Sequence, residues 1–219
     1  MTRDFLVALS HYDAYLSGLW NTLWLSAATL LLASLLGCVV AALMLAKHKA
    51  LRLPAAAFVD TMRCVPFLLF AYLIYYGLPQ LSLQFDSWAS GLIALVIYHT
   101  AYMAEIVRGA WTNLSRDQIE AGRAYGFAGF PLFRRIILPQ LFFASVPVIG
   151  NQSIYILKDS AFLMIITVPE LTFAASSVQS TYFVPFASFV IAMLLYWLMT
   201  LGIETAVKRV ELAAEVRRG

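Results

Sequence analysis

Charge is scarce in this chain. Asp, Glu, Lys and Arg make up 12% of its 219 residues against 62% hydrophobic, and mean hydropathy is +0.79. That balance excludes an ordinary water-soluble domain and makes lipid the solvent for most of the surface. A net charge of +3 excludes a strongly basic face, so no nucleic-acid partner is expected. Cysteine is almost missing: Cys38 and Cys64 lie within or beside apolar runs, without pairing pattern or metal-like spacing, and are expected as free packing residues. His11, His48 and His99 share no ligand spacing, and no HExxH pattern occurs, so no metal site is expected. The GxxxxGK[ST] phosphate loop is missing too, which leaves no visible means of holding ATP, and there is no GxSxG element. The chain is therefore expected to have no catalytic residues and to bind no cofactor of its own.

What the sequence has instead is long apolar runs. A bilayer core needs roughly 20 apolar helical residues, and five stretches supply them: residues 16–46, 54–79, 88–107, 136–157 and 184–207. Trp20 and Trp24 are placed to anchor the first at a membrane interface. The second is interrupted by Asp60, Arg63 and Pro66, so its first part is expected at the inner interface. Residues 161–177 begin apolar, but Pro169, Glu170 and several serines predict a short or re-entrant piece. The expectation is an all-α polytopic membrane protein of about five spans, one domain over 1–219 with its membrane core at 16–209.

Lys47, Lys49 and Arg52 follow the first span. Arg108, Arg116, Arg123, Arg134 and Arg135 follow the third, and Lys208, Arg209, Arg217 and Arg218 the last. By the positive-inside rule those ends are cytoplasmic, giving an N-out, C-in chain. The start, MTRDFLVALSHYDAYLSG, has no cleavable-signal pattern, and the first span is expected to direct insertion.

One segment stands apart. SRDQIEAGRAYGFAGFPLFRRIILPQ, residues 115–140, is polar and rich in small residues between apolar runs, which marks where the chain meets a soluble partner. Ser115 and Gln118 form a capping-box pattern that predicts a helix from Arg116. Gly126 is a stop in the left-handed conformation, and Pro131 suits the first position of the next helix. Ala121, Gly122, Ala124 and Gly126 keep the short helix's surface low for close approach, while Glu120 and Arg123 can orient it electrostatically.

Within that segment Glu120-Ala121, Gly126, Ile136, Leu138 and Pro139 resemble the EAA loop of ATP-binding cassette importer permeases. The likeness extends over most of the chain from Asn21 to Arg209 and is to the polar amino acid uptake branch. Its elements are Asn21-Thr22-Leu23 with Leu25-Ser26, Tyr75-Tyr76-Gly77-Leu78-Pro79, residues 101–109 (AYMAEIVRG), Lys158-Asp159-Ser160 and Val168-Pro169-Glu170-Leu171. The resemblance implies a type I importer permease fold whose loop 115–139 is a cytoplasmic coupling helix. Glu120, Ala121, Gly122, Arg123, Ala124, Gly126 and Pro139 would meet a separate ATPase subunit, which holds ATP and Mg. It also implies a second permease subunit, like or unlike, a solute-binding protein and a small polar amino acid as cargo, in a bacterial inner membrane. The tract Glu120 to Phe127 is similar to permeases for basic amino acids and opines. Two positions depart from the family pattern. Cys64-Val65-Pro66 stands for the usual Gly-Thr-Pro, and Gly122 replaces a common alanine, adding roughly 1 kcal/mol of helix cost if fully helical.

Ionisable groups inside a bilayer cost on the order of 2.5–3.5 kcal/mol each at a helix centre, so they mark a transport path unless merely paired. Asp60, Arg63, Lys158 and Asp159 are the candidates, with Asn151, Ser153 and Ser160 as added polar reach. The bland alternative is that Lys158 and Asp159 pair with each other or with a neighbouring helix. Glu105 and Arg108, three apart, are expected as an ordinary helical ion pair. A membrane-embedded enzyme or a passive small-solute channel are the competing classes, of which the first leaves the 115–139 loop unexplained.

Overall fold

The computed structural model describes residues 1–216, with side chains through Leu212. Arg217 and Arg218 lie outside the described residues. The chain is helical throughout, with no strand among the described residues. A short α1 (Thr2–Ser10) leads into α2 (Tyr12–Met44), followed by α3 (Lys49–Cys64), α4 (Phe67–Gly77) and α5 (Ser87–Thr112). The segment between spans holds α6 (Arg116–Ala124) and α7 (Gly129–Leu132). Then come α8 (Leu138–Ser160), α9 (Leu171–Tyr182) and α10 (Pro185–Val216). Among the described residues, four helical stretches are long and apolar enough to cross a membrane, and the bent α3–α4 pair, taken as one span, brings the number to five. That agrees with the count read from the sequence.

α2 and α5 form the central pair. The face that α2 buries is made largely of small residues: Gly18, Thr22, Thr29, Ala33, Gly37 and Ala41, with Leu25 among them. Their spacing of three or four keeps one stripe in register along the helix. Lipid tails are as apolar as leucine, so such helices associate by close packing, and small side chains let the backbones approach. At Gly37 a Cβ would come within 2.5 Å of Met103 Cβ and 3.0 Å of the Ala104 nitrogen. The other faces of α2 carry Trp20, Trp24, Leu31, Leu35 and Val39, all exposed. Cys38 and Cys64 are free, as expected, but both are exposed rather than packed inside.

The second run is broken where Pro66 removes an amide donor and pushes its predecessor out of the helical region. Val65 is extended at φ −90° and ψ 136°, and the chain bends by 109° between the two helical pieces. The break is pinned by the Tyr98 hydroxyl, which donates to the Val65 carbonyl at 3.1 Å. Leu25, Phe67, Phe70, Leu95, Tyr98 and Leu163 pack together around it.

Residues 161–182 supply no candidate span of their own. A 3-10 turn, Ala161–Ile166, ends at Thr167 in the left-handed region (φ 63°), and α9 begins after the extended Glu170. Both oxygens of the fully buried Glu170 carboxylate are bonded at the start of α9, to Phe173 N–H at 2.6 Å and Thr172 N–H at 2.7 Å. Tyr196 Oη of α10 donates to the same carboxylate at 2.7 Å. From α2, Asn21 Nδ2 donates to the Pro169 carbonyl at 2.7 Å. The short non-crossing piece predicted from Pro169 and Glu170 is thus tied to both neighbouring spans by polar groups that lipid could not satisfy.

Candidate functional site

The first feature is the helix between spans. α6 starts at Arg116 as predicted, but Ser115 makes no side-chain cap bond, so the capping box does not form. Gly126 takes φ +85° and closes the helix, its N–H bonded to the Arg123 carbonyl at 2.9 Å. Pro131 is the third residue of α7, not the first. That position is still in the first turn, where no helical N–H bond is lost. Glu120, Ala121, Arg123, Ala124, Tyr125 and Gly126 are all exposed.

Gly122 is not on that surface. It is buried, and a Cβ there would overlap Ile136 and come within 2.9 Å of Leu132 Cδ1. The glycine that costs helix propensity is the contact by which α6 lies down on the start of the next span. Pro139 is exposed near the start of α8, directly after a π turn at Phe133–Ile137. The wider turn accommodates a proline that would otherwise clash with the carbonyl four residues back. The Gln140 amide then donates to the Ile136 carbonyl at 2.8 Å.

The second feature is a polar cavity between α5 and α8. It has a volume of about 450 Å³ and is lined by Tyr98, His99, Tyr102, Gln152, Tyr155 and Asp159. On α8, Gln152, Tyr155 and Asp159 recur at helical spacing, so one face supplies all three. His99 is fully buried. Gln152 Nε2 donates to His99 Nδ1 at 2.8 Å. His99 Nε2 lies 3.4 Å from Asp159 Oδ2 but off hydrogen-bond alignment, which leaves that ring nitrogen without a partner. Tyr98 Oη and Tyr102 Oη are 3.3 Å apart. The lining holds one carboxylate and neither Lys nor Arg. Its size lies within the usual range of small-molecule sites.

Along α5 the face of Tyr98 and Tyr102 continues to Glu105. Arg108 binds the Glu105 carboxylate through two bonds, 2.7 and 2.8 Å, and Arg63 Nη1 of α3 lies 3.7 Å from it. The i, i+3 pair read from the sequence is therefore present, with Arg63 added from another helix. This charged group sits on the end of α5 that leads into α6.

The structure separates the polar residues singled out in the sequence. Asp159 lines the cavity. Asp60 is exposed near the end of α3, and Arg63 belongs to the Glu105 group. Lys158 is exposed and forms no ion pair among the described residues. Asn151 opens instead onto a smaller cleft with Glu204, Lys208 and Glu211. Ser153 and Ser160 each donate back to their own helix, to Ile149 and Leu157 at 2.8 Å. Sequence reasoning passed over His99 and Gln152. The available signal was that His99 is, tyrosines aside, the one ionisable residue in the stretch 88–104.

A bundle of four or five apolar spans, interrupted by a polar helix and with a polar cavity between two of them, is the architecture of a multi-pass membrane protein. The chain belongs to the family described as binding-protein-dependent transport system inner membrane component, whose model matches residues 33–214. It is 31% identical over 205 residues to the probable glutamine ABC transporter permease protein GlnM of Bacillus subtilis, covering 94% of this chain and 95% of that one. It is 34% identical to the octopine transport system permease protein OccQ of Rhizobium meliloti, over 75% of this chain and 74% of the relative. A crystal structure of an amino acid ABC transporter with histidines superimposes with a TM-score of 0.90 at 31% identity, covering 97% of this chain and all of that one. The all-α permease architecture expected from the 115–139 loop is the one found.

Proposed function

We propose that this chain is the membrane-spanning subunit of an ATP-driven importer that carries a polar amino acid into a bacterial cytoplasm. Basic amino acids and opines are the narrower class favoured. The observation that carries the reading is α6, a short exposed polar helix laid against a span through Gly122, in a chain of the binding-protein-dependent family. Glu120, Ala121, Arg123, Ala124 and Gly126 form the surface offered to a separate ATPase subunit, which supplies ATP and Mg. Gly122 sets the pose of that surface from its buried side, and the exposed Pro139 is offered to the partner with it. A second permease subunit completes the path, a solute-binding protein delivers the amino acid from outside, and the chain runs N-out, C-in.

In this reading the cavity beside Asp159 is the amino acid's passage site, since a lone carboxylate lined by phenols favours a cationic nitrogen. The Arg63–Glu105–Arg108 group, with Asp60 near it, guards the end facing α6. ATPase closure draws paired α6 helices together and rocks the spans, and each change of state is driven by differential affinity for the two states.

The test is ATP hydrolysis by the chain reconstituted in vesicles with its ATPase, sister permease and solute-binding protein, while single amino acids are varied. Stimulation by one class of amino acid is expected. It should be lost in Gly126→Leu, because a side chain at φ +85° is strained although the space around it is open. Failure to associate with any ATPase in well-folded preparations would overturn the reading.

A further inference from the structure

The His99 ring is hydrogen-bonded at one nitrogen and without a partner at the other. Its side chain is 1% exposed, and aromatic rings of Tyr98, Tyr102 and Phe67 stand 5.5, 6.1 and 6.3 Å from it, so it has little freedom to turn. A carboxamide nitrogen has only hydrogens to give. With Gln152 Nε2 at 2.8 Å, Nδ1 is therefore the acceptor and the proton sits on Nε2. The reversed amide would give the opposite tautomer. It would put the proton on Nδ1 and turn the Nε2 lone pair toward the Asp159 carboxylate 3.4 Å away, a repulsive contact. The result is a buried N–H that lines the cavity and has no partner. Buried polar groups are nearly always satisfied, and an exception calls for a ligand or another functional cause.

We infer that His99 is a specificity-determining residue that contacts the cargo, donating its Nε2–H to an α-carboxylate oxygen while Asp159 receives the α-ammonium. The inference rests on the cavity being the passage site. Nε2–H and the Asp159 carboxylate form an adjacent donor and acceptor, and the head group of a free amino acid offers the complementary pair on neighbouring carbons. With no Lys or Arg in the lining, the carboxylate must be met by hydrogen-bond donors of lower charge, and the His99 N–H is the one held 3.4 Å from Asp159. Asp159 is 21% exposed and so reaches the cavity. Gln152 is a positioning residue, fixing tautomer and ring, and the three phenols are left to meet the cargo's side chain.

The experiment is equilibrium binding of labelled arginine, histidine and glutamine to the full-length chain purified with its ATPase. The solute-binding protein is omitted so that its own selectivity does not enter. Agmatine and histamine, the decarboxylated counterparts, serve as probes of the carboxylate contact. His99→Phe is expected to weaken amino acid binding roughly tenfold, the loss of one buried hydrogen bond to a charged group, and to leave the amines unaffected. His99→Gln places an amide N–H near the Nε2 position and should bind within about threefold of the wild type. Wild-type affinity in His99→Phe, with binding lost in Asp159→Asn, would overturn the role of His99 and leave the passage site standing. Wild-type affinity in both variants, or no binding of any amino acid by the unmodified chain, would remove the passage site as well. Equal loss in His99→Phe and His99→Gln together with less assembled complex would reduce His99 to a packing residue.

Discussion

The hydroxyl of Thr22 accepts a hydrogen bond from the backbone N–H of Leu171, 149 positions later, at 3.0 Å, and donates to the Gly18 carbonyl at 2.9 Å. The hydroxyl is fully buried, and the N–H it satisfies begins α9. Thr22→Val keeps the shape and strands that donor, which should lower stability by about 1–3 kcal/mol. Thr22→Ser should be nearly neutral. Thermal unfolding of the purified protein in detergent separates the two, and equal midpoints for Val and Ser would disprove the staple.

Glu170 takes three donors, and its two backbone bonds satisfy the first turn of α9. Glu170→Ala leaves two half-buried N–H groups unpaired and should cost more than Tyr196→Phe, which removes a single hydroxyl. Roughly 2 kcal/mol or more against about 1 kcal/mol is the expected ordering. Hydrogen exchange of residues 171–174 is the direct readout, and protection there should fall first in Glu170→Ala.

Gly122 and Ile136 interlock without room for a side chain between them. Alanine needs the flexible ends of both Ile136 and Leu132 to turn aside and gains back roughly 1 kcal/mol of helix propensity, so Gly122→Ala should be close to neutral. Gly122→Leu should lift α6 from the span and lower amino-acid-stimulated ATP hydrolysis. Ile136→Ala added to it should restore part of that loss, an interaction visible in a double-mutant cycle. Strictly additive losses would show that the two side chains do not share the space.

The Arg108–Glu105 pair has ideal two-point geometry, but both side chains are about a third exposed. Solvent screening limits such pairs to about 1 kcal/mol. Arg108→Lys should therefore leave folded yield and melting temperature almost unchanged. A fall in transport at unaltered stability would assign the group to the path rather than to the bundle, and a large loss of stability would contradict the exposed geometry.

Much of the bundle was legible because lipid imposes simple rules. A run must reach about 20 apolar residues to span, and this alone located four spans and the broken one. Asp60, Arg63 and Pro66 marked an interruption in the second run. Pro169 and Glu170 likewise predicted a segment that turns back. The start of α6 at Arg116 and the left-handed Gly126 were equally readable, being local backbone chemistry. Ser115 was misread because the capping pattern requires a side-chain rotamer, which the pattern itself does not set. Gly122 was assigned to the outer surface of α6 because small size alone cannot tell which neighbour comes close.

The sequence by itself determined that this chain lives in lipid, roughly how many times it crosses, and where its polar helix interrupts the spans. Those properties depend on hydropathy and local backbone preference. Only the tertiary structure decided that Asp159 is joined by His99 and Gln152 while Lys158, Asn151 and Ser160 turn elsewhere. It also decided that Thr22 meets Leu171. The reason is geometric: successive helical positions differ by about 100° in direction, so neighbours in sequence face different surroundings. Which surroundings those are follows from how α2, α5 and α8 pack at their small-residue seams.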